Sequence, residues 1–207
     1  MLKDAVLIDL LKQAYSAEKA AAFAYQGHAA SVKSKTEKKA IRQIETDEWN
    51  HREEVLKMMN LYRVPVSKWY EVKYHLIGRT ISASCYVIGW FMPFYFAGNL
   101  ESGNVCEYVR MKRLFNAQGI TEHDAILYEM SLKEKEHEVY FYEQIADSKM
   151  LPFFEKLFSW GKNKRKNDID LEKGFYIEDT NMYCEGFGEK GKEQAVKQIH
   201  NYSDIGN

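Results

Sequence analysis

The sequence predicts an all-α protein: a four-helix bundle followed by one more helix and a tail. Three observations carry that expectation. Apolar residues recur at three- and four-residue spacing through long segments rich in Lys and Glu. Proline occurs only three times in 207 residues, so little interrupts those segments. Two of the segments also contain a Glu-x-x-His step, Glu48-Trp49-Asn50-His51 and Glu134-Lys135-Glu136-His137, set where a helix should turn apolar side chains to the core.

The first helix runs from about Asp4 to Val32, with Leu7, Leu11, Ala14, Ala21 and Tyr25 on one face and Glu18 in the middle of it. The second runs from about Ser34 to Leu61 and stops at the Arg63-Val64-Pro65 breaker. Its stripe is Ile41, Ile44, Val55 and Met58, and Glu48 and His51 fill the next slots. From Trp69 to about Gln118 the pattern is less regular. No charge occurs between Thr80 and Leu100, while Gly89, Pro93 and Gly98 threaten helix continuity. That run is nearly long enough to span a bilayer. Its serines, proline and glycines favour a buried helix or one that dips an apolar face into one leaflet. The last bundle helix spans about Thr121 to Ser148, with Thr121 as cap, and Leu127, Met130, Phe141 and Ile145 flank Glu134 and His137 in register.

Residues 1–148 therefore form the bundle and 149–207 the remainder. The apolar stretch Leu151–Trp160 precedes Lys162, Lys164, Arg165 and Lys166, which suits an anionic membrane surface or a further helix packed on the bundle. From about Gly174 no periodicity is firm.

Composition narrows the function. With 29 basic and 30 acidic residues the net charge is −1, which argues against nucleic acid as the main partner. The cysteines, Cys85, Cys106 and Cys184, offer neither a metal pair nor a disulfide framework, and so point to a reducing compartment. The start, Met1-Leu2-Lys3-Asp4, has no signal-peptide apolar core. The expected location is cytoplasmic, peripheral to the inner leaflet.

A carboxylate and an imidazole on a buried face are expensive unless something compensates them. Glu18 then Glu48 and His51 in one half, and Glu101 then Glu134 and His137 in the other, supply one Glu and one Glu-x-x-His each. That is the arrangement of a carboxylate-bridged di-iron centre in a ferritin-like bundle. Four carboxylates neutralise two divalent ions, and the imidazoles are neutral ligands. Oxygen-rich donors with one nitrogen per metal suit iron, or manganese, better than zinc. One such step alone would usually be a solvated helix face; two in register are much harder to obtain by chance.

These residues resemble the demethoxyubiquinone hydroxylase family, ferritin-like di-iron monooxygenases of ubiquinone biosynthesis. Glu18 is followed by Ala21, Tyr25 and Gly27 at matching offsets, and Glu48 and His51 fall at the expected distance. Arg63-Val64-Pro65 and Trp69 resemble the link after the second helix. Glu101 with Tyr108 seven residues later and the Lys133–His137 run are similar to the third and fourth helices. The resemblance covers about residues 8–148. It implies a peripheral membrane hydroxylase with iron ligands at Glu18, Glu48, His51, Glu101, Glu134 and His137. Three features depart from the family: Glu107 stands where it has His, the spacing from the third to the fourth helix is slightly shorter, and residues from 149 onward have no counterpart. Rubrerythrins share the Glu and Glu-x-x-His scheme but carry a second Glu where this chain has Asn104, and their Cys-rich module is absent.

Tyr25 and Tyr108 each follow a candidate ligand by seven residues, placed either to hold a carboxylate or to fill the core. The resemblance leans Tyr108 towards function, and Glu107 is a candidate proton donor or a surface residue. His28, His75, His123 and His200 have no partner spacing and read as structural or exposed. The aromatic run Trp90, Phe91, Phe94, Tyr95 and Phe96 reads as packing, or as an apolar pocket if it opens beside the metal. The leading expectation is a monooxygenase that uses dioxygen, a lipophilic quinone-like substrate and an external electron donor, since no flavin or nicotinamide fingerprint is present. Assembly into a homo-oligomer stays open. The rivals are a rubrerythrin-like peroxidase or oxidase and a non-enzymatic ferritin-like iron-binding protein.

Overall fold

The structure, a computed structural model, describes residues 2–158 and Trp160. The described residues contain six helices: α1 (Ala5–Ser31), α2 (Lys35–Leu61), α3 (Lys68–Ser84), α4 (Phe91–Asn116), α5 (Asp124–Ile145) and α6 (Leu151–Phe158). The protein is all-α. The chain divides into two units, residues 1–153 and 154–207, and the candidate site lies wholly in the first.

Local chemistry sets the starts of the first three helices. The Asp4 carboxylate accepts from the Val6 and Leu7 amides, Ser34 Oγ from Glu37 and Ser67 Oγ from Tyr70. Such caps are worth about 1 kcal/mol each. α4 and α5 have no side-chain cap. The expected cap Thr121 is not one: its carbonyl accepts from Asp124 N, and the helix begins three residues later.

α1 packs against α2 and α3, and α4 packs against α5; contacts from α1 to α4 and from α2 to α5 join these elements. Towards one end the four long helices share a mainly aliphatic core that includes Leu7, Leu11, Val55, Met59, Met111 and Leu127. Further along, Tyr25, His28, Phe94 and Phe141 form an aromatic cluster, with Tyr25 stacked on Phe141 at 5.5 Å. The candidate site lies between these two clusters in sequence position along the helices.

The uncharged run at 80–100 is not one helix. α3 ends at Ser84, the chain turns through Gly89 in the left-handed region (φ 83°), and α4 begins at Phe91. No described helix is long and apolar enough to cross a membrane. α3 lies on α1 so closely that glycine is required on both: a Cβ at Gly27 would stand 2.2 Å from the Ser82 carbonyl oxygen, and one at Gly78 would stand 2.7 Å from Ala20 Cα. Ion pairs add to this seam. Lys19 (2.6 Å) and Arg52 (3.0 Å) bind Glu71 on α3, and Ser16 Oγ donates to it at 2.9 Å. Burial would raise the Glu71 carboxyl, but those donors outweigh it and hold it down at about 2.

Cys106 is disulfide-bonded, against the expectation that the cysteines offer no disulfide framework; Cys85 is free and buried. In α6, Leu151 and Phe154 are buried while Phe153, Leu157 and Phe158 are exposed. The basic residues 162–166 and the tail from 174 lie outside the described residues.

Candidate metal centre

All six residues singled out by spacing come together. Glu18, Glu48, His51 and Glu134 form one buried group, and Glu48, Glu101, Glu134 and His137 form another; within each group, one donor atom per residue lies within 4.8 Å of the rest. Glu48 and Glu134 belong to both. Four helices therefore supply two adjoining quartets that could each hold a metal ion, with two carboxylates placed to bridge.

The donors fit a cation better than they fit one another. Glu18 Oε2, both oxygens of Glu48, Glu134 Oε1, and Nδ1 of His51 and of His137 are buried without a hydrogen-bond partner. His51 Nδ1 stands 2.8 Å from Glu134 Oε1, and His137 Nδ1 stands 3.4 Å from Glu48 Oε1. Those separations suit ion pairing but lack hydrogen-bond geometry. Burial, and then the charges of Glu48 and Glu134, push the Glu18 carboxyl well above its usual range. Burial and Glu134 do the same to Glu101. Burial would also raise Glu134, but the close approach of Glu101, His137 and His51 holds it well below. Burial would lower both imidazoles; facing carboxylates raise them instead. Uncompensated, such a cluster costs several kcal/mol per charge. Two divalent cations would cancel the four carboxylates and give the orphaned donors a partner.

Supporting groups orient the donors. Tyr25 OH donates to Glu101 Oε1 and Tyr108 OH to Glu18 Oε1, so each tyrosine holds the carboxylate of the other helix. Asn104 Nδ2 donates to Glu101 Oε2 at 3.1 Å and to Glu134 Oε2 at 3.4 Å. His137 Nε2 meets Asp47 Oδ2 at 3.1 Å, which leaves Nδ1 for the centre. A ring nitrogen so fixed is the usual support of a metal-binding histidine.

Glu107 does not hydrogen-bond to any of the six. It lines a small cavity of about 110 Å3 together with Glu18, Asn104, Tyr108, Tyr74 and Leu100. Burial pushes its carboxyl up to about 7, against the pull of Arg110. Sequence reasoning missed Asp47, because it sits one residue off the apolar stripe and acts on a different helix. His28, expected to be structural or exposed, is buried against Phe94 and Phe141.

No protein-family model matches this chain, and no curated protein or solved structure matches it.

Proposed function

We propose that this protein is a ferritin-like, oxygen-dependent di-iron monooxygenase that hydroxylates an apolar, quinone-like substrate at a membrane surface. The observation that carries the reading is the pair of buried quartets sharing Glu48 and Glu134, with their orphaned donors. The contacts from α1 to α4 and from α2 to α5 support a four-helix bundle, with α3 laid outside it. Glu18, Glu48 and His51 would hold one iron, Glu101 and His137 the other, and Glu134 and Glu48 would span both. Manganese is the alternative for the same donors.

Iron, when bound, would supply the reduction of dioxygen. The chain's own residues do the rest. Tyr25, Tyr108, Asn104 and Asp47 fix donor orientation, and the aliphatic and aromatic clusters keep bulk water out. Glu107, with a carboxyl near 7 in a cavity that also reaches Glu18 and Tyr108, is placed to hold or release one proton at its carboxyl oxygen. Electrons come from an external donor.

An apolar strip supports the membrane surface. Trp69 (71% exposed), Val72 and Leu76 follow helical spacing on α3, and Tyr86 and Val87 continue it into the turn. Lys68, Lys73 and Arg79 lie on the same helix and suit an anionic surface.

Elemental analysis of the purified protein and oxygen uptake test the reading together. The expected result is two irons per chain and oxygen uptake that depends on an added apolar quinone precursor and a reductant. Peroxide turnover without any organic substrate would instead establish the peroxidase or oxidase. Many irons per chain, held as mineral, would establish storage.

A further inference from the structure

A second cavity, of about 570 Å3, lies between α1, the end of α3, the turn after it and the first half of α4. Its wall is mostly hydrocarbon, with Ala24, Ile81, Ile88, Met92, Phe96 and Leu100 prominent. His28 breaks that pattern. The ring is 2% exposed, sits edge-on to Phe94 at 4.5 Å and stacks on Phe141 at 5.8 Å. Its Nε2 is buried and meets no partner.

An unmet polar nitrogen in such a place is unfavourable, and a protein that keeps one there needs a reason. Of the other polar groups on the wall, three are engaged, and Asn99 contributes an amide from α4. Tyr25 OH is spent on Glu101, and Ser84 Oγ and Cys85 Sγ both reach the Ile81 carbonyl. Burial pushes the His28 imidazole down to about 4, so it is neutral near pH 7 and can donate or accept according to tautomer. No Lys or Arg lines the cavity.

We infer that this cavity seats the substrate and that His28 positions it: the ligand is a neutral, largely apolar molecule whose single carbonyl or hydroxyl oxygen hydrogen-bonds to Nε2. Calling that ligand the substrate rests on the monooxygenase reading; its binding does not. Tyr25 lines the same cavity and holds Glu101, so a bound molecule lies one side chain from a candidate ligand of the metal centre. Anions are excluded, because the cavity offers no cation to replace their hydration. Purely hydrocarbon molecules fit but leave Nε2 unmet.

Calorimetric titration of the full-length protein, with its metal content measured in parallel, tests this with 4-butylphenol, butylbenzene and 4-butylbenzoate. The wild type should prefer the phenol to the hydrocarbon by about tenfold, the weight of one buried hydrogen bond, and should not bind the benzoate. His28→Leu should erase the preference while hydrocarbon binding stays within about twofold, and His28→Gln should restore part of it. A preference that survives His28→Leu overturns the inference. So does an equal loss for both neutral probes, which marks a merely structural histidine, and so does a wild type that binds neither. If His28→Leu does not fold, Ile88→Trp fills the cavity from the turn, and undiminished phenol binding there overturns the inference too. A wild type without bound metal would sink the monooxygenase reading and leave these binding ratios to be judged by themselves.

Discussion

Glu18, Glu48 and His51 on α1 and α2 have their counterparts in Glu101, Glu134 and His137 on α4 and α5, and the braces cross between the halves, Tyr25 to Glu101 and Tyr108 to Glu18. Around this shared scheme the halves diverge. Three residues after the first Glu stands Ala21 in one half and Asn104 in the other; six residues after, Ala24 and Glu107; ten after, His28 and Met111. Before the second Glu stands Asp47 in one half and Lys133 in the other. Asp47 reaches across to His137, whereas Lys133 turns out to Glu136 at 2.5 Å. The helices of the first half also begin on side-chain caps and those of the second do not. On the proposed function the repeat would hold the metal, and the difference would orient a substrate and deliver a proton.

The sharpest break in that comparison is between shared and unshared carboxylates. Glu48→Ala or Glu134→Ala removes a member of both quartets, so elemental analysis should find neither metal, with all activity gone. Glu18→Ala or Glu101→Ala removes a member of one, and one metal per chain should remain. Circular dichroism should stay helical in every case, because the apolar clusters on either side of the site hold the long helices together. Two metals retained in Glu48→Ala would show that the sharing is misassigned.

His28 has no ionisable counterpart in the other half, and it predicts a pH effect with a definite sign. Its folded pKa is depressed from 6.5 to about 4, by burial. The folded state therefore resists protonation while the unfolded chain accepts it. Stability is full above about 6.5 and is lost as pH falls towards 4, by roughly 3 kcal/mol at about 1.36 kcal/mol per pKa unit. The ring faces Phe94 and Phe141, and Lys33 and Glu37 share the neighbouring cavity wall with it. Urea unfolding at pH 7 and at pH 4.5 should lose this part of the slope in His28→Leu. An unchanged slope would mean that water reaches the ring.

Asp47 and Lys133 occupy matching positions and should behave oppositely. Removing the support of a metal-binding histidine costs about 10–100-fold in metal affinity, so Asp47→Asn should weaken one of the two sites by that much in chelator competition. Lys133→Ala should leave both within about twofold, since an exposed ion pair contributes little. Equal effects would show that Asp47 is only a surface charge.

The halves also explain what could be read beforehand. The six donors were legible because each interrupts an apolar stripe, and a stripe is a local pattern that survives in one dimension. α1, α2 and α5 were legible to within a few residues for the same reason, with Asp4 and Ser34 marking true starts, whereas α4 was not delimited. Thr121 does not cap α5; its carbonyl instead accepts from Asp124 N in the turn before the helix. The 80–100 run was misread as one segment because lack of charge says nothing about where a chain turns, and Gly89 decided it. Asp47 and the Lys19–Arg52–Glu71 seam were illegible because their partners lie on other helices, at separations no periodicity encodes.

The smallest expected difference lies in the crossed tyrosines. Tyr25→Phe takes one donor from Glu101, which keeps Asn104 at 3.1 Å. Tyr108→Phe takes from Glu18 its one hydrogen-bond donor among the described residues, since its other oxygen is already without a partner. A hydrogen bond to a charged group is worth about 1.5–3 kcal/mol, and a compensated one less. Tyr108→Phe should therefore weaken metal binding by about tenfold and Tyr25→Phe by only a few-fold, measured by chelator competition on the separate variants. The double variant Tyr25→Phe with Asn104→Ala should bring the Glu101 side down to the Tyr108→Phe level. If Tyr25→Phe alone already matches Tyr108→Phe, Asn104 gives Glu101 no support, and the two halves are more alike around their carboxylates than the side chains at +3 make them look.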